Sequence, residues 1–443
     1  MADDLGYGDI GAYGQEIIHT PNIDAIGEHG VKFTQHYAGT SVCAPSRCVL
    51  MTGMHMGHVE VRGNGFSPPS GQVPISAETY TVAELLKENG YTTGMIGKWG
   101  LGEPGTTGDP NKQGFDFFYG YTDQILAHNY YPEFLWKNGE KIYLDNEVKY
   151  LDTTAWHRGL GSYSTQKVDY SPDLMTAEAL SFIEQNKETP FFLYLPYTIP
   201  HDNGEAPDTL RHEVPSNGRF KNEDWPNNWK SYAACIEKLD DYIGMITEKI
   251  TSEGLSQNTL IIFTSDNGPI KERDYSSDSA FNSNGPLRGF KRDLYEGGIR
   301  MPFLAKWEGV IPAGTVSDHP SAFYDFFSTV ADIIQAEAPH TDGISYYNAL
   351  IGKPQKKHEY LYFEFYEGGK SQALIMDEWK VIRNDVFKNE NVPAELYNLR
   401  NDIGENNNVA DEYPEILANL QSLMKAAHTT DPEWPLFPSE AKK

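Results

Sequence analysis

Short apolar runs that end in polar or glycine-rich residues recur along the chain. Tyr91–Gly97 runs into Lys98, Phe191–Thr198 into Pro200 and His201, and Leu260–Thr264 into Asp266 and Asn267. Runs of this length, rich in aromatic and β-branched residues, predict buried strands. Amphipathic helices fall between them. Thr81–Asn89 carries Val82, Leu85 and Leu86, with Gly90 placed to cap its C-terminus. Trp229–Glu253 carries Ile236, Leu239, Ile243, Ile246 and Ile250, spaced three and four apart along one face. Strands alternating with helices predict an α/β fold, a large mostly parallel or mixed sheet flanked by helices. Ligands of such sheets gather at the carboxyl ends of strands, and the polar residues named above sit there.

After Asp342-Gly343 the texture changes. Glu359–Tyr366 and Gln372–Arg383 read as antiparallel strands, and Pro414–Ala427 as a closing helix. The expected organisation is a large α/β domain over 1–352 and a small C-terminal α+β domain over 353–443.

Composition narrows the function. With 63 acidic against 36 basic residues the formal charge is -27, which disfavours nucleic acid as a partner. An anionic substrate would need a locally cationic site, built from a metal or a few placed Lys and Arg residues. Aromatics make up 13% of the chain and argue for a packed globular protein rather than disorder. No apolar run is long enough to span a membrane. Cys43, Cys48 and Cys235 are too few, and odd in number, for a disulfide framework. Cys235 lies in a helical pattern and reads as a small buried hydrophobe.

The segment Cys43-Ala44-Pro45-Ser46-Arg47, continuing to Leu50, Thr52 and Gly53, carries the most specific chemistry. Pro45 suits the first turn of a helix. Cys43 then lies at a helix N-terminus, where free N–H groups and the dipole favour an anion. Arg47 offers a planar fork of donors for a tetrahedral oxyanion. Taken alone, the same segment also fits a buried cysteine beside a helix-starting proline.

Cys-x-Pro-Ser-Arg followed by Leu-x-Thr-Gly resembles the sulfatase signature, and further matches follow in family order. Ala2-Asp3-Asp4-Leu5-Gly6-Tyr7-Gly8-Asp9 resembles the N-terminal metal motif, with Thr20–Asp24 and Gly30–Phe33 after it. Ser265-Asp266-Asn267-Gly268 resembles the second metal motif. Leu287–Lys291 with Glu296–Arg300, then Glu395–Leu399 with Asn408–Ala410, resemble later family segments. The resemblance implies a hydrolase of sulfate esters in which Cys43 is oxidised to formylglycine, whose hydrated form attacks sulfur. It implies Ca²⁺ on Asp3, Asp4, Asp266 and Asn267, with Cys43, once converted to formylglycine, among its ligands as well; the four hard oxygen donors suit calcium. Lys98 corresponds to the lysine that bridges formylglycine and sulfate, Lys291 to a second sulfate-binding lysine, and His201 to the histidine that protonates the leaving alcohol. The implied partners are a sulfated substrate and a formylglycine-generating maturation enzyme. The implied location is periplasmic or secreted.

One departure matters. Most sulfatases read Gly-Lys-Trp-His-Leu-Gly, where this chain reads Gly97-Lys98-Trp99-Gly100-Leu101-Gly102. The missing histidine helps deprotonate the formylglycine hydroxyl. His128, in Ala127–Pro132, is the candidate replacement, with His55 and His58 also close behind the Cys43 segment. The variant motif with His128-Asn129-Tyr130-Tyr131-Pro132 resembles a carbohydrate-sulfatase branch, some members of which remove 4-O-sulfate from galactose or N-acetylgalactosamine. Two other functions fit the motifs: a phosphonate or phosphodiester hydrolase of the same superfamily, and a non-catalytic sulfoglycan-binding protein. No apolar stretch precedes Asp3 and Asp4, so the first central strand, and a secretory signal before it, are expected upstream of Met1. A longer form is expected to melt higher and to hold calcium more tightly.

Overall fold

The computed structural model describes residues 1–65, 72–151, 159–270 and 281–441. The fold is mixed α/β, and the predicted strands fall into two five-stranded mixed sheets. One sheet runs in the order Thr315–Ser317, Val31–Tyr37, Arg300–Lys306, Ile261–Thr264, with Ser321–Ala322 also paired to Val31–Tyr37. The other runs Glu140–Tyr143, Phe134–Lys137, Phe117–Tyr121, Thr92–Lys98, Phe191–Tyr194. Thr92–Lys98 is parallel to both of its neighbours.

Residues 1–3 hydrogen-bond on one side to the strand Ile261–Thr264 and on the other to the segment that follows the strand Phe191–Tyr194. Ala2 pairs in parallel with Ser265, and its N–H donates to Thr264 O at 2.8 Å. On the other side Tyr197 N donates to Met1 O at 3.0 Å and Asp3 N to Ile199 O at 3.2 Å. This bridge brings Asp3 and Asp4 beside Asp266, where the Ile261–Thr264 strand ends.

Helices form where caps and apolar faces agree. The helix Val82–Glu88 starts with a capping box in which Glu84 N donates to Thr81 Oγ1 at 3.2 Å and Thr81 N to Glu84 Oε2 at 2.8 Å. The helix Asn227–Ser252 buries Ile236, Leu239, Ile243 and Ile250, each contributing about 1.5–3 kcal/mol by transfer from water. Cys235 is buried among them as a free thiol. No helix among the described residues is long and apolar enough to cross a membrane.

The C-terminal region holds a four-stranded antiparallel sheet in the order Leu361–Phe365, Ser371–Met376, Trp379–Asn384, Glu395–Asn398. The expected single strand Gln372–Arg383 is a hairpin instead. Asp377, with φ of 50°, turns the chain, and Met376 faces Trp379 across the pair. The helix Pro414–Ala427 covers one face, packing Leu420, Met424 and Ala427 on Tyr362, Leu374, Val381 and Leu396.

A buried ion cluster ties this sheet to the rest of the fold. Lys380 Nζ lies 2.9 Å from Glu296 Oε1 and 2.9 Å from Glu405 Oε1, all three side chains fully buried. Arg300 adds a contact to Glu296 Oε2 at 3.1 Å. Removing one member leaves a buried charge uncompensated, which costs about 3–5 kcal/mol. Lys380→Met is therefore expected to lower unfolding free energy by about that amount, read from urea denaturation. A loss below about 1 kcal/mol would mean the glutamates neutralise by taking up protons.

Candidate active site

Cys43 is the first residue of the helix Cys43–Thr52, behind an extended Val42, and is buried. Three cations surround it. Lys98 Nζ and Lys291 Nζ each lie 3.6 Å from Cys43 Sγ. Arg47, one turn along the same helix, donates through Nε and Nη2 to Asp266 Oδ2 at 3.2 and 2.8 Å, and through Nη1 to the Lys98 carbonyl. Lys98 ends its strand, and Lys291 is placed by its N–H on Pro269 O at 2.8 Å. Burial pushes the Cys43 thiol up to about 12, against the pull of Lys291 and Lys98.

Three carboxylates balance these cations. Lys98 Nζ contacts Asp3 Oδ2 at 2.7 Å and Lys291 Nζ contacts Asp4 Oδ2 at 2.7 Å. Asp4 adopts a φ of 61°, a left-handed conformation that costs roughly 1–2 kcal/mol outside glycine. Its backbone N–H on Asp266 Oδ1 at 3.1 Å helps to hold it there. Burial, the Asp3 charge and the opposing Arg47 together leave the Asp266 carboxyl above its ordinary range. Asn267 Nδ2 donates to Asp4 Oδ1 at 2.6 Å, while Asn267 Oδ1 is buried and has no partner among the described residues. An orphaned acceptor beside three carboxylates is the donor set a hard divalent cation requires.

Asp3, Asp4, Cys43 and His201 also offer ligand atoms within 4.8 Å of one another. His201 is otherwise engaged: Nδ1 faces Asp202 O at 2.6 Å and Nε2 faces Lys291 Nζ at 2.8 Å. A carbonyl only accepts, so Nδ1 carries the proton and Nε2 accepts from the ammonium. Burial, then the Lys291 charge, hold the imidazole well below its ordinary value. The oxygens of Asp266 and Asn267 therefore complete a cation site better than His201.

The cluster forms the floor of a cavity of about 540 Å³ lined by Cys43, Lys291, His201, His128, Gln124 and Arg292 among others. That volume falls in the range of small-molecule sites, about 300–1,000 Å³. A family model for the sulfatases matches residues 1–336, and the C-terminal model of N-sulphoglucosamine sulphohydrolase matches residues 289–430. The chain belongs to the sulfatase family. It is a sulfuric ester hydrolase. An N-acetylgalactosamine-6-O-sulfatase of Bacteroides thetaiotaomicron is 30% identical over 97% of this chain and 92% of its own. A solved structure from a glycosaminoglycan-metabolism locus of the same organism superposes with a TM-score of 0.79 at 27% identity, covering 96% of this chain and 97% of that one. Ps i-CgsB bound to k-i-k-neocarrahexaose gives 0.78 at 28%, covering 96% of this chain and 91% of that one.

In this sulfatase the two remaining histidine candidates are not equivalent to His128. The helix Cys43–Thr52 ends at Gly53 with φ of 71°, which turns the chain toward Asp342. His58 Nδ1 meets Asp342 Oδ2 at 2.9 Å, and His55 Nδ1 accepts from Gly57 N at 3.0 Å. Neither lines the cavity. His128 does, stacked on His201 with ring centroids 4.1 Å apart. Its Nδ1 meets Glu205 Oε2 at 2.8 Å. Although burial opposes it, His128 helps keep the Glu205 carboxyl below its ordinary range. An ionised Glu205 accepts from Nδ1–H and leaves Nε2 as the basic ring atom. Glu205 and Gln124 were missed in the sequence, since neither belongs to a recognisable motif.

Proposed function

We propose that this sulfatase removes sulfate from a galactose-configured sugar, using formylglycine made from Cys43 and Ca²⁺ held by Asp3, Asp4, Asp266 and Asn267. The observation that carries the chemistry is the convergence of Lys98 and Lys291 on Cys43 Sγ, each at 3.6 Å, over a floor of carboxylates. Cys43 Sγ stands in for the nucleophilic oxygen of the hydrated aldehyde. The ion, when bound, supplies positive charge for a sulfate oxygen.

Formal charge supports this assignment. Asp3, Asp4 and Asp266 cancel Arg47, Lys98 and Lys291. A divalent cation then leaves two positive charges, matched by one on a sulfate ester and one on an ionised nucleophile. Lys98 and Lys291 flank the sulfate from two sides, and Arg47 fixes Asp266 rather than reaching the substrate. His201 Nε2, which accepts from the Lys291 ammonium at 2.8 Å, passes that proton on to the leaving alcohol. Glu205 orients His128, which, in place of the histidine absent at Gly100, takes the proton of the geminal hydroxyl left after sulfate transfer, so that the C–O bond to sulfate breaks, sulfate leaves and the aldehyde returns.

The sugar rests on the relatives. One carries 6-O-sulfated N-acetylgalactosamine in its name and another binds a neocarrahexaose; the sequence variant around Gly100 pointed instead to 4-O-sulfate. The galactose configuration is what we propose, with both sulfate positions to be assayed. A periplasmic or secreted location and a maturation enzyme as partner belong to the same proposal. Expression without that enzyme should leave Cys43 as a thiol by mass spectrometry.

His201→Ala should cut kcat on a sugar sulfate by about 10²–10⁴-fold and act weakly on 4-nitrophenyl sulfate, whose phenolate leaves unprotonated. Equal losses on both would remove His201 from the acid role. His128→Ala should release one equivalent of alcohol in a burst and then stall. A raised KM with normal turnover would make His128 a sugar contact instead.

A further inference from the structure

Position 100 is a glycine with φ of 79°, two residues after Lys98, and it lines the cavity. The space a side chain would take there is already filled. A Cβ built on Gly100 would fall 1.7 Å from Gln124 Nε2, 2.5 Å from its Cδ and 3.0 Å from its Cγ. The Gln124 carboxamide thus lies across Gly100, with 7% of the residue exposed, and lines the same cavity as Cys43, His201 and Lys291.

Neither end of that carboxamide is paired. Gln124 Oε1 and Nε2 are both buried without a partner among the described residues. Burying an amide in this way is unfavourable, and a side chain there only to pack would be better served by an apolar one. Its platform is well held. Asp123, next in the chain, accepts from Ile125 N at 2.7 Å, Leu126 N at 3.0 Å and Leu160 N at 2.8 Å. Trp99 N also donates to Tyr121 O at 2.9 Å, which fixes the Lys98–Gly100 segment against the strand leading to Gln124. A rigid support of this kind pre-orients an amide for a ligand.

We propose that Gln124 is a specificity-determining residue that hydrogen-bonds a hydroxyl of the sugar bearing the scissile sulfate. The proposal rests on the carbohydrate reading above and deepens it. A neutral carboxamide neither gains nor loses a proton near pH 7, so it binds rather than acting as acid or base. It offers a donor and an acceptor in one plane, the complement of a sugar hydroxyl, which is both. Gly100 is needed so that this amide can reach the cavity.

The test compares matured wild type with Gln124→Leu, of similar size, and Gln124→Ala, on three substrates: 6-O- and 4-O-sulfated N-acetylgalactosamine and 4-nitrophenyl sulfate. Thermal melts of each variant confirm folding. Expected is a fall in kcat/KM of about 10- to 100-fold on the cleaved sugar sulfate, with less than about threefold change on 4-nitrophenyl sulfate. A substrate lacking the contacted hydroxyl should lose as much on wild type and lose nothing further on the variant. Unchanged sugar hydrolysis in both variants would overturn the role of Gln124 while leaving the sugar reading intact. Equal loss on all substrates would place Gln124 at the sulfur or the nucleophile and overturn the hydroxyl contact. Hydrolysis of 4-nitrophenyl sulfate by wild type without any sugar hydrolysis would overturn the carbohydrate reading, and this proposal with it.

Discussion

Cys43→Ala is expected to abolish sulfate release, by on the order of 10³-fold or more, while leaving the fold intact. The side chain is small and buried, so its loss removes little packing. What it removes is the single position on which both lysines converge, Lys98 Nζ and Lys291 Nζ at 3.6 Å from Sγ. Among the described residues, neither Ser46 nor Cys48 takes its place: Ser46 Oγ donates to the Asp266 carbonyl at 2.6 Å, and Cys48 is buried in the core cluster on the same helix. Cys43→Ser should be just as inactive when the host's maturation enzyme accepts only cysteine. Substantial activity in Cys43→Ala, measured as released sulfate in a preparation free of host sulfatase, would contradict the nucleophile assignment.

Removal of divalent cations should have the next largest effect. An ion that stabilises developing charge by several kcal/mol corresponds to about 10²–10³-fold in rate. Chelation should slow turnover by that factor, and Ca²⁺ should restore it more fully than Mg²⁺, which demands a tighter octahedral shell. A readout separate from turnover is thermal stability. Calcium at 100 times its dissociation constant should add about 2.7 kcal/mol, and Asp266→Ala should lose both the response to calcium and the anchor of Arg47, which donates to Asp266 Oδ2 at 2.8 Å. Unchanged rate and melting temperature after stripping would mean that Lys98, Lys291 and Arg47 neutralise the site by themselves.

The residues that meet at the cavity floor were legible because each lies in a contiguous motif at a strand end or helix start. Lys98 ends a strand, Asp266 and Asn267 follow another, and Cys43 opens a helix. The polar residue after an apolar run marks the sheet edge where ligands bind. The hairpin at Asp377 was not legible, because Met376-Asp377-Glu378 contains no glycine, proline or asparagine to signal a turn. Gln124 and Glu205 were hidden for a different reason. Their meaning depends on which backbone approaches them, Gly100 in one case and His128 in the other, and that is a property of the folded chain. His55 and His58 looked close to the site because they follow Cys43 in sequence, but the turn at Gly53 takes them to Asp342.

The central claim is tested most directly by incubating matured protein with 6-O- and 4-O-sulfated N-acetylgalactosamine and, in parallel, with an aryl phosphodiester, reading released sulfate and phenol. The expected result is free sulfate and desulfated sugar from at least one galactosaminide, lost in Cys43→Ala, with the phosphodiester cleaved far more slowly. Phosphodiester cleavage that outpaces release of sulfate from every sulfated sugar would contradict it.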